Sequence, residues 1–560
     1  MRRSLILFFA VVVLASACGS SAKSTGSSTP SELKNIVDLR AKATGSYPEV
    51  DVTAVDNNFV PAAIRINPGT TVHWENEGRS PHDISPADPS QSFGAKKFGI
   101  DASKFVPHAE YEYRFDKPGV YRYFCRLHGS KDLGMIGEVV VGDVDASGGT
   151  TATTTGGQAG GTLRVPQDYP TIQAAVDAAK PGSLVLVSPG VYREAVTVTS
   201  PDIVIRGLDR ARTILDGDFV RDNGIKVLAD GVAVENMTAR RYKENGFFWT
   251  GVTGYRGSYL TAIRNGDYGI YAFDATKGQF DHDYGSGSPD AGFYIGQCYP
   301  CDAVITESLS EWNGIGYSGT NAGGNLYIVN STWRHNRVGI VPNSGTEEKN
   351  PPQHGATIAG NTVYDNNNAK TAAIDIAQLA IGNGILVAGG NDNVVQRNLV
   401  FDHDLVGVAV IPLPEKVINP SDPKAINFDA HRNKVIGNAV SDSRAADLGL
   451  VTGLENAKDA GGNCFSGNTY KTSLPDNLQQ LVPCGKPASP AFETDLGRFA
   501  ALLTAKKPGP GDYRTVVLPP PPALPDMPDA ATAPPQPANT GVPTAIDLSG
   551  ITLPTMPANP

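Results

Sequence analysis

Residues 123–135 read YFCRLHGSKDLGM. A thiol, an imidazole and a thioether fall within this one stretch as Cys125, His128 and Met135, in the spacing C-x2-H-x6-M. Two imidazoles, one thiolate and a weak axial thioether make a type 1 copper site. The stretch lacks only the second imidazole, which has to come from another part of the chain to close the site in three dimensions. EGRSPHDIS supplies it at His82, directly after the strand-like TVHWEN. Pro81 fixes the backbone beside that imidazole. Gly134 and Gly137 flank Met135 and let the loop double back. Zinc fits this set less well, because a structural zinc takes four strong nitrogen or sulfur ligands. His73, in a strand, and His108, after FVP, read as surface residues.

The other cysteines have other fates. The chain has six. It begins MRRSLILFFAVVVLASAC, where Arg2 and Arg3 precede a short apolar run that is too short to span a bilayer comfortably. Ala15, Ser16 and Ala17 before Cys18 resemble a bacterial lipobox, which implies cleavage before Cys18 and lipidation of its thiol. The alternative is a plain secretory signal cut near the same place, and both imply export. Cys298 with Cys301, and Cys464 with Cys484, can pair as disulfides in an oxidising compartment. Cys125 is left over, a thiol that would oxidise outside the cell unless something holds it.

The elements that must position these residues follow from pattern. After a tether over 19–45, residues 46–142 alternate apolar and polar in short runs divided by NPG and KPG turns, which predicts a β-sandwich. A Gly/Thr-rich linker fills 143–161 and suggests that the parts on either side are independent. Residues 162–490 begin with a short amphipathic helix over 171–180 and then repeat. Gly224-Ile225, Gly246-Phe247, Gly269-Ile270, Gly292-Phe293, Gly314-Ile315 and Gly339-Ile340 recur at steps of 22 to 25 residues, followed by Gly384-Ile385, Gly407-Val408 and Gly449-Leu450. Short strands at that period predict a parallel β-helix, capped at its open end by the helix. Asn236, Asn330, Asn361, Asn398 and Asn438 start strands as NMTA, NSTW, NTVY, NLVF and NAVS, and are expected to stack. The Pro-rich tail, 507–560, is expected to be extended or disordered. The fold class is therefore all-β.

N-E-G-x-S-P-H, Y-F-C-x-x-H and G-M-x-G-E-V-V-V together resemble the cupredoxins, the plastocyanin and azurin group. The resemblance implies one type 1 copper held by His82, Cys125, His128 and Met135, and one-electron transfer to a partner. The His-to-Met gap is longer than plastocyanin-like loops commonly have. VPQDYPTIQAAVDAA with PGVYREAV resembles the opening of the pectin-lyase-like superfamily, and the repeats resemble its right-handed β-helix members, including NosD-like proteins. The G-Y-x-D-T-L context of the related methylesterases is absent, which excludes that activity.

The repeat offers weaker chemistry. Counting on from the five asparagines, the fourth residue is Arg240, Arg334, Asp365, Asp402 and Asp442, and the fifth is Arg241, His335, Asn366, His403 and Ser443. Asp365, Asp402 and Asp442 would then line up with His403 beside them. A second cluster is Asp281, His282, Asp283 and Asp290, just before Cys298. Either group could be an acid–base pair, a calcium site or a solvated turn. The net charge of −10 argues against nucleic acid as a partner. The function expected is an exported, lipid-anchored copper protein that transfers electrons, with a β-helix that binds a redox partner protein or an envelope glycan. The alternatives are a polysaccharide lyase, hydrolase or epimerase, and a non-catalytic surface adhesin.

Overall fold

The computed structural model describes residues 33, 36–42, 48–88, 90, 98–144, 160–418, 424–538 and 546–558. The leader with Cys18, most of the 19–45 tether and residues 145–159 of the linker lie outside the described residues.

Nine strands build the first unit: β1 (Val37–Asp38), β2 (Glu49–Val55), β3 (Asn58–Val60), β4 (Ala63–Ile66), β5 (Thr70–Asn76), β6 (Ser85–Pro86), β7 (Glu110–Phe115), β8 (Gly119–Gly129) and β9 (Gly134–Val141). They form two facing sheets, in the orders β1-β4-β9-β8-β6 and β3-β2-β5-β7. Alternation decides which side chains enter. On β5, Val72 and Trp74 point in while Thr71, His73 and Glu75 point out. On β8, Tyr121, Tyr123 and Cys125 share the inward face, so the same period that buries the two tyrosines carries the thiol inside. Trp74 donates its indole N–H to the Tyr123 hydroxyl at 3.1 Å and packs on Phe98 and Phe115. Its truncation to Ala would cost ~3–5 kcal/mol. The sandwich also reaches back into the expected tether: β1 pairs with β4, and Leu39 is buried.

The second unit begins at β10 (Thr162–Val165) and α1 (Ile172–Ala178). Thr171 caps α1 by accepting from the Ala174 N–H, and the Glu194 carboxylate accepts from the N–H groups of Ile172 and Gln173. Ile172, Ala175 and Val176 face the end of the stack and close it. Beyond α1, three parallel sheets of 12, 10 and 11 strands among the described residues wind as a solenoid. Register in the third sheet runs Ile225, Phe247, Ile270, Phe293, Tyr317, Ile340, Ile385, Val408 and Leu448. The glycine repeat follows it with two slips. Gly314-Ile315 lies two residues ahead of the true equivalent, Gly316-Tyr317, and Leu450 two residues beyond Leu448. A slip of two keeps the same face inward, so the pattern does not reveal it.

The asparagines stack, but not all in one row. Asn361, Asn398, Asn438 and Asn468 point inward, and each accepts the backbone N–H of the preceding coil at 2.9–3.2 Å. Asn236 and Asn330 sit one residue earlier in their turns, in the left-handed conformation, with φ of +56° and +48°. Two further inward ladders, Asn313–Asn336–Asn366 and Asn393–Asn433–Asn463, hold other corners.

The Pro-rich tail is extended and laid on the solenoid. Its carbonyl groups take arginine donors: Gly509 from Arg337, Tyr513 from Arg264, Pro525 from Arg210, and Ala533 from Arg206. Ala538 and Ile551 bury in small apolar clusters on the outer surface of the coils. Proline has no N–H to satisfy, so a strap of this composition needs chiefly donors from its partner, and the N–H groups of Met527 and Ala538 donate back to the Asn236 side chain and the Gly231 carbonyl. The expectation of disorder fails for the described part of this segment, because composition does not report an arginine-lined surface elsewhere in the chain.

Candidate metal centre

β8 and β9 pair regularly up to Phe124 with Ile136, lose register, and meet again at Gly129 with Gly134. That irregularity bends the strand so that Cys125 and His128, three residues apart, face the same side. Gly134 has φ +80°, and a Cβ there would stand 2.6 Å from the His128 carbonyl oxygen. Only glycine lets the two arms approach so closely. Met135 follows it at the start of β9, buried in the same apolar cluster as Cys125.

His82 comes from the loop after β5, which is tied down at several points. Asn76 donates to the carbonyls of Ser80 and Phe105, and its own carbonyl accepts from the Gly78 N–H. Asp56 accepts from the N–H groups of Arg79 and Ser80. The His82 N–H donates to the Phe105 carbonyl at 3.0 Å. The result is a convergence of donors. Nδ1 of His82 and Nδ1 of His128 lie 3.0 Å apart, and Cys125 Sγ lies 3.4 Å from His128 Nδ1 and 3.9 Å from His82 Nδ1. All three residues are buried. The Asp83 N–H points at Cys125 Sγ from 3.4 Å.

Burial, with the Asp83 carboxylate adding to it, pushes the Cys125 thiol up to about 12. Burial and the neighbouring His82 hold the His128 imidazole well below its usual range. Without a cation the pocket therefore holds a neutral thiol and a neutral imidazole. A cation of affinity for sulfur and nitrogen would displace the thiol proton and take the imidazole in its ligand form. The donor set fits copper: one soft sulfur, two imidazole nitrogens within 4.8 Å of it and of one another, and a buried thioether next in the loop. The Asp83 and Asp56 contacts lie outside the ligand motifs. Asp83, adjacent to His82, was the available signal.

The two units are not independent. Lys226 of the solenoid donates to three carbonyl groups of the 126–129 loop, Arg79 pairs with Glu348 at 2.7 Å, and Asn57 donates to the Tyr271 hydroxyl. Phe248, Tyr268, Tyr271 and Tyr294 form a buried aromatic cluster on the outer face of the third sheet, with Phe248 and Tyr271 stacked at 4.7 Å. An alternating strand with aromatics on both faces needs cover on both, and the sandwich supplies the outer one. A linker's composition says nothing about such a surface. Beside the contact, an open cleft of about 780 Å³ is bordered by Arg79, His108, Asn343, Glu347, Glu415 and Lys424.

The solenoid candidates disperse. Asp281 accepts from Ser258 and Gln279 and lies beside the His282 imidazole at 2.9 Å. His282, with φ +57°, stacks on Tyr259. Asp283 points inward, accepts the Leu260 N–H, and is raised well above the carboxylate range by burial. Asp290 is at the next corner, where it accepts from the Tyr268 hydroxyl. Asp365, Asp402 and Asp442 do occupy one outward row of left-handed turn positions. His403 is not beside them: it faces inward in the ladder that contains Asn366, buried and depressed to about 4 by that burial. His335, not Arg334, precedes Asp365 in the row, and its Nδ1 lies 2.8 Å from Asp365. The one-residue offset of Asn236 and Asn330 caused the misalignment. Cys298–Cys301 and Cys464–Cys484 are both bonded, and Cys125 is the free cysteine among the described residues.

Comparison with known proteins agrees with both units. Residues 48–142 match the copper binding proteins of the plastocyanin/azurin family, and residues 245–412 match the right-handed beta helix region. Halocyanin of Natronomonas pharaonis is 37% identical over 101 residues, which are 18% of this chain and 58% of that protein. Plastocyanin of Scenedesmus fuscus is 32% identical over 85 residues, 15% of this chain and 85% of that protein. The chain spans under three-fifths of halocyanin and, at 57%, a similar share of the chloroplastic plastocyanin of Tetradesmus obliquus. Among solved structures, the A-module of a mannuronan C-5 epimerase of Azotobacter vinelandii is 14% identical, with a TM-score of 0.40, over 53% of this chain and 90% of that one. Through residues 48–142, with their buried His82, Cys125 and His128, the chain belongs to the plastocyanin/azurin family of copper-binding proteins.

Proposed function

We propose that this chain is an exported electron carrier, held to a bacterial membrane by a lipid on Cys18, whose solenoid presents the copper unit to a redox partner protein or an envelope glycan. The observation that carries the copper reading is the convergence of His82, Cys125 and His128 in one buried pocket. His82, Cys125 and His128 would hold the metal, with Met135 as the weak axial donor, and copper bound there supplies one-electron redox chemistry. The chain's own part is to keep the donors still. The Asn76 and Asp56 contacts fix the His82 loop, the Asp83 N–H points at the sulfur, and the aromatic core keeps water out. A frame that need not move when charge changes lowers the reorganisation that electron transfer costs. Export is supported by the leader pattern and by two disulfides, which form in oxidising compartments.

The test is direct. The purified chain is stripped of metal and titrated with Cu(II). One equivalent is expected to raise an intense band near about 600 nm, the charge-transfer signature of a copper thiolate. A colourless protein at saturation sinks the reading. For the anchor, labelling with a radioactive fatty acid is expected to mark the wild-type chain and not Cys18→Ser.

A further inference from the structure

The ligand loop does not end at the surface of the sandwich. Lys226, on the solenoid strand Ile225–Val227, sends its ammonium group into the loop. Nζ donates to the carbonyl oxygens of Arg126 at 2.9 Å, Leu127 at 3.4 Å and Gly129 at 3.0 Å. These residues follow Cys125 and flank His128 on both sides. An ammonium has three donors and no acceptor, so three carbonyls saturate it. Those partners are neutral, and the acidic groups acting on the lysine are Cys125 first, then Glu244, Asp222 and Asp83. On the next coil Phe248 sets its ring edge-on to the His128 ring, with centroids 6.4 Å apart. The Leu228 side chain lies against Gly134, 3.1 Å from where a Cβ would be. One patch of solenoid thus touches both arms of the loop that carries Cys125, His128 and Met135.

We propose that Lys226 is a positioning residue of the copper centre: it pins the Cys125–His128 loop and, with Phe248, seals the His128 edge, favouring reduced copper and slowing metal exchange. The inference rests on the copper reading above. The sign follows from charge. Reduction removes one positive charge from the site, so a fixed ammonium nearby disfavours the oxidised form more than the reduced one, and burial strengthens the effect. The three hydrogen bonds act separately, through the backbone, by restraining the segment between two ligands. In this assignment the solenoid is part of the centre and not merely a carrier of it.

The test uses the full-length chain. Lys226→Met keeps the apolar stem and removes the ammonium. It is expected to lower the reduction potential measured by titrating the ~600 nm band, and to alter the copper hyperfine splitting in electron paramagnetic resonance. It is also expected to speed removal of Cu(I) by a chelator at least about tenfold, the scale of one charge-assisted hydrogen bond. Phe248→Ala is expected to speed removal while leaving the potential nearer the wild type. A Lys226→Met protein that matches wild type in circular dichroism, potential, hyperfine splitting and removal rate overturns the inference, and a blue wild type beside it leaves the copper reading intact. A wild type that never turns blue fails the copper reading instead. Should Lys226→Met not fold, Lys226→Arg decides: it keeps the charge but not the fit to three carbonyls, so faster removal is expected and a wild-type rate overturns the proposal.

Discussion

At the tip of the sandwich, His82 meets Cys125 and His128 from 43 and 46 residues away, and the three donor atoms face one another. Along the solenoid, imidazoles and carboxyl groups are as numerous, but each is set by its place in a coil. His335 sits against Asp365, Asp281 accepts from Ser258 and Gln279, and His403 takes a ladder position that Asn366 takes one coil earlier. The first arrangement brings unlike donors together in a buried pocket. The second repeats one turn geometry and fills it with residues that tolerate it. The comparison teaches that a row of functional groups at a fixed period reports the backbone first, whereas convergence across distant segments reports a ligand.

Removing the sulfur from the sandwich is the strongest way to break that contrast. Cys125→Ala is expected to abolish the ~600 nm band and to weaken copper binding by at least about a hundredfold, since even outer contacts to a metal ligand cost 10–100-fold. Visible spectroscopy and competitive titration check both. The thermal stability gained on adding copper, ~4 kcal/mol when free copper is 1,000 times Kd, should vanish with it. The solenoid's disulfides and ladders are expected to be unaffected.

The solenoid answers in stability instead. Asn398 accepts from Asn361 and donates to the carbonyls of Ile358 and Asn438. Asn398→Ala strands a buried N–H and a buried carbonyl, and is expected to cost ~2–4 kcal/mol in denaturant unfolding, with the copper spectrum unchanged. How much of this was legible differs between the two regions. C-x2-H-x6-M and the His82 loop were readable because four donors of three kinds rarely fall together by accident, and the β-helix was readable from its period. The ladder register was not. Asn236 and Asn361 are both asparagine before a strand, yet one takes the left-handed turn position and the other points inward. Asparagine suits both roles, so residue type alone leaves a one-residue ambiguity. The docking of the two units was hidden for another reason: Phe248 and Tyr271 alternate with inward residues as any doubly buried strand does, and nothing local names what covers them.

His403 gives the next largest effect. Its imidazole is held at about 4 against an ordinary value of 6.5, because burial disfavours the charged form. The unfolded chain therefore binds a proton at a pH where the folded one does not. Stability from this group is complete above about pH 6.5 and is lost as pH falls towards 4, by ~3 kcal/mol. His403→Asn places the residue found at Asn366 one coil earlier. It is expected to flatten that part of the stability profile, as measured by unfolding at a series of pH values, and to leave copper binding unchanged.

The smallest effect is expected in the carboxylate row, where a catalytic reading would demand the largest. Asp402 is mostly exposed and sits between Asp365 and Asp442 in the stacked turns. Burial of part of the group and then the like charges of Asp365, Asp404 and Asp442 raise its carboxyl above the usual value. The charged form is thus mildly unfavourable in the folded protein, increasingly so as pH rises through that pKa. Asp402→Asn keeps a residue that adopts the left-handed turn and removes one repulsive charge. With solvent screening, it is expected to change unfolding free energy by no more than ~0.5 kcal/mol, towards greater stability near neutral pH. Asp365, by contrast, is lowered by His335, and Asp365→Asn is expected to destabilise by a similarly small amount, because that pair is also partly exposed. Opposite signs at neighbouring positions of one row are what turn electrostatics require, and a shared loss of polyuronate turnover in both variants would instead make the row an active site.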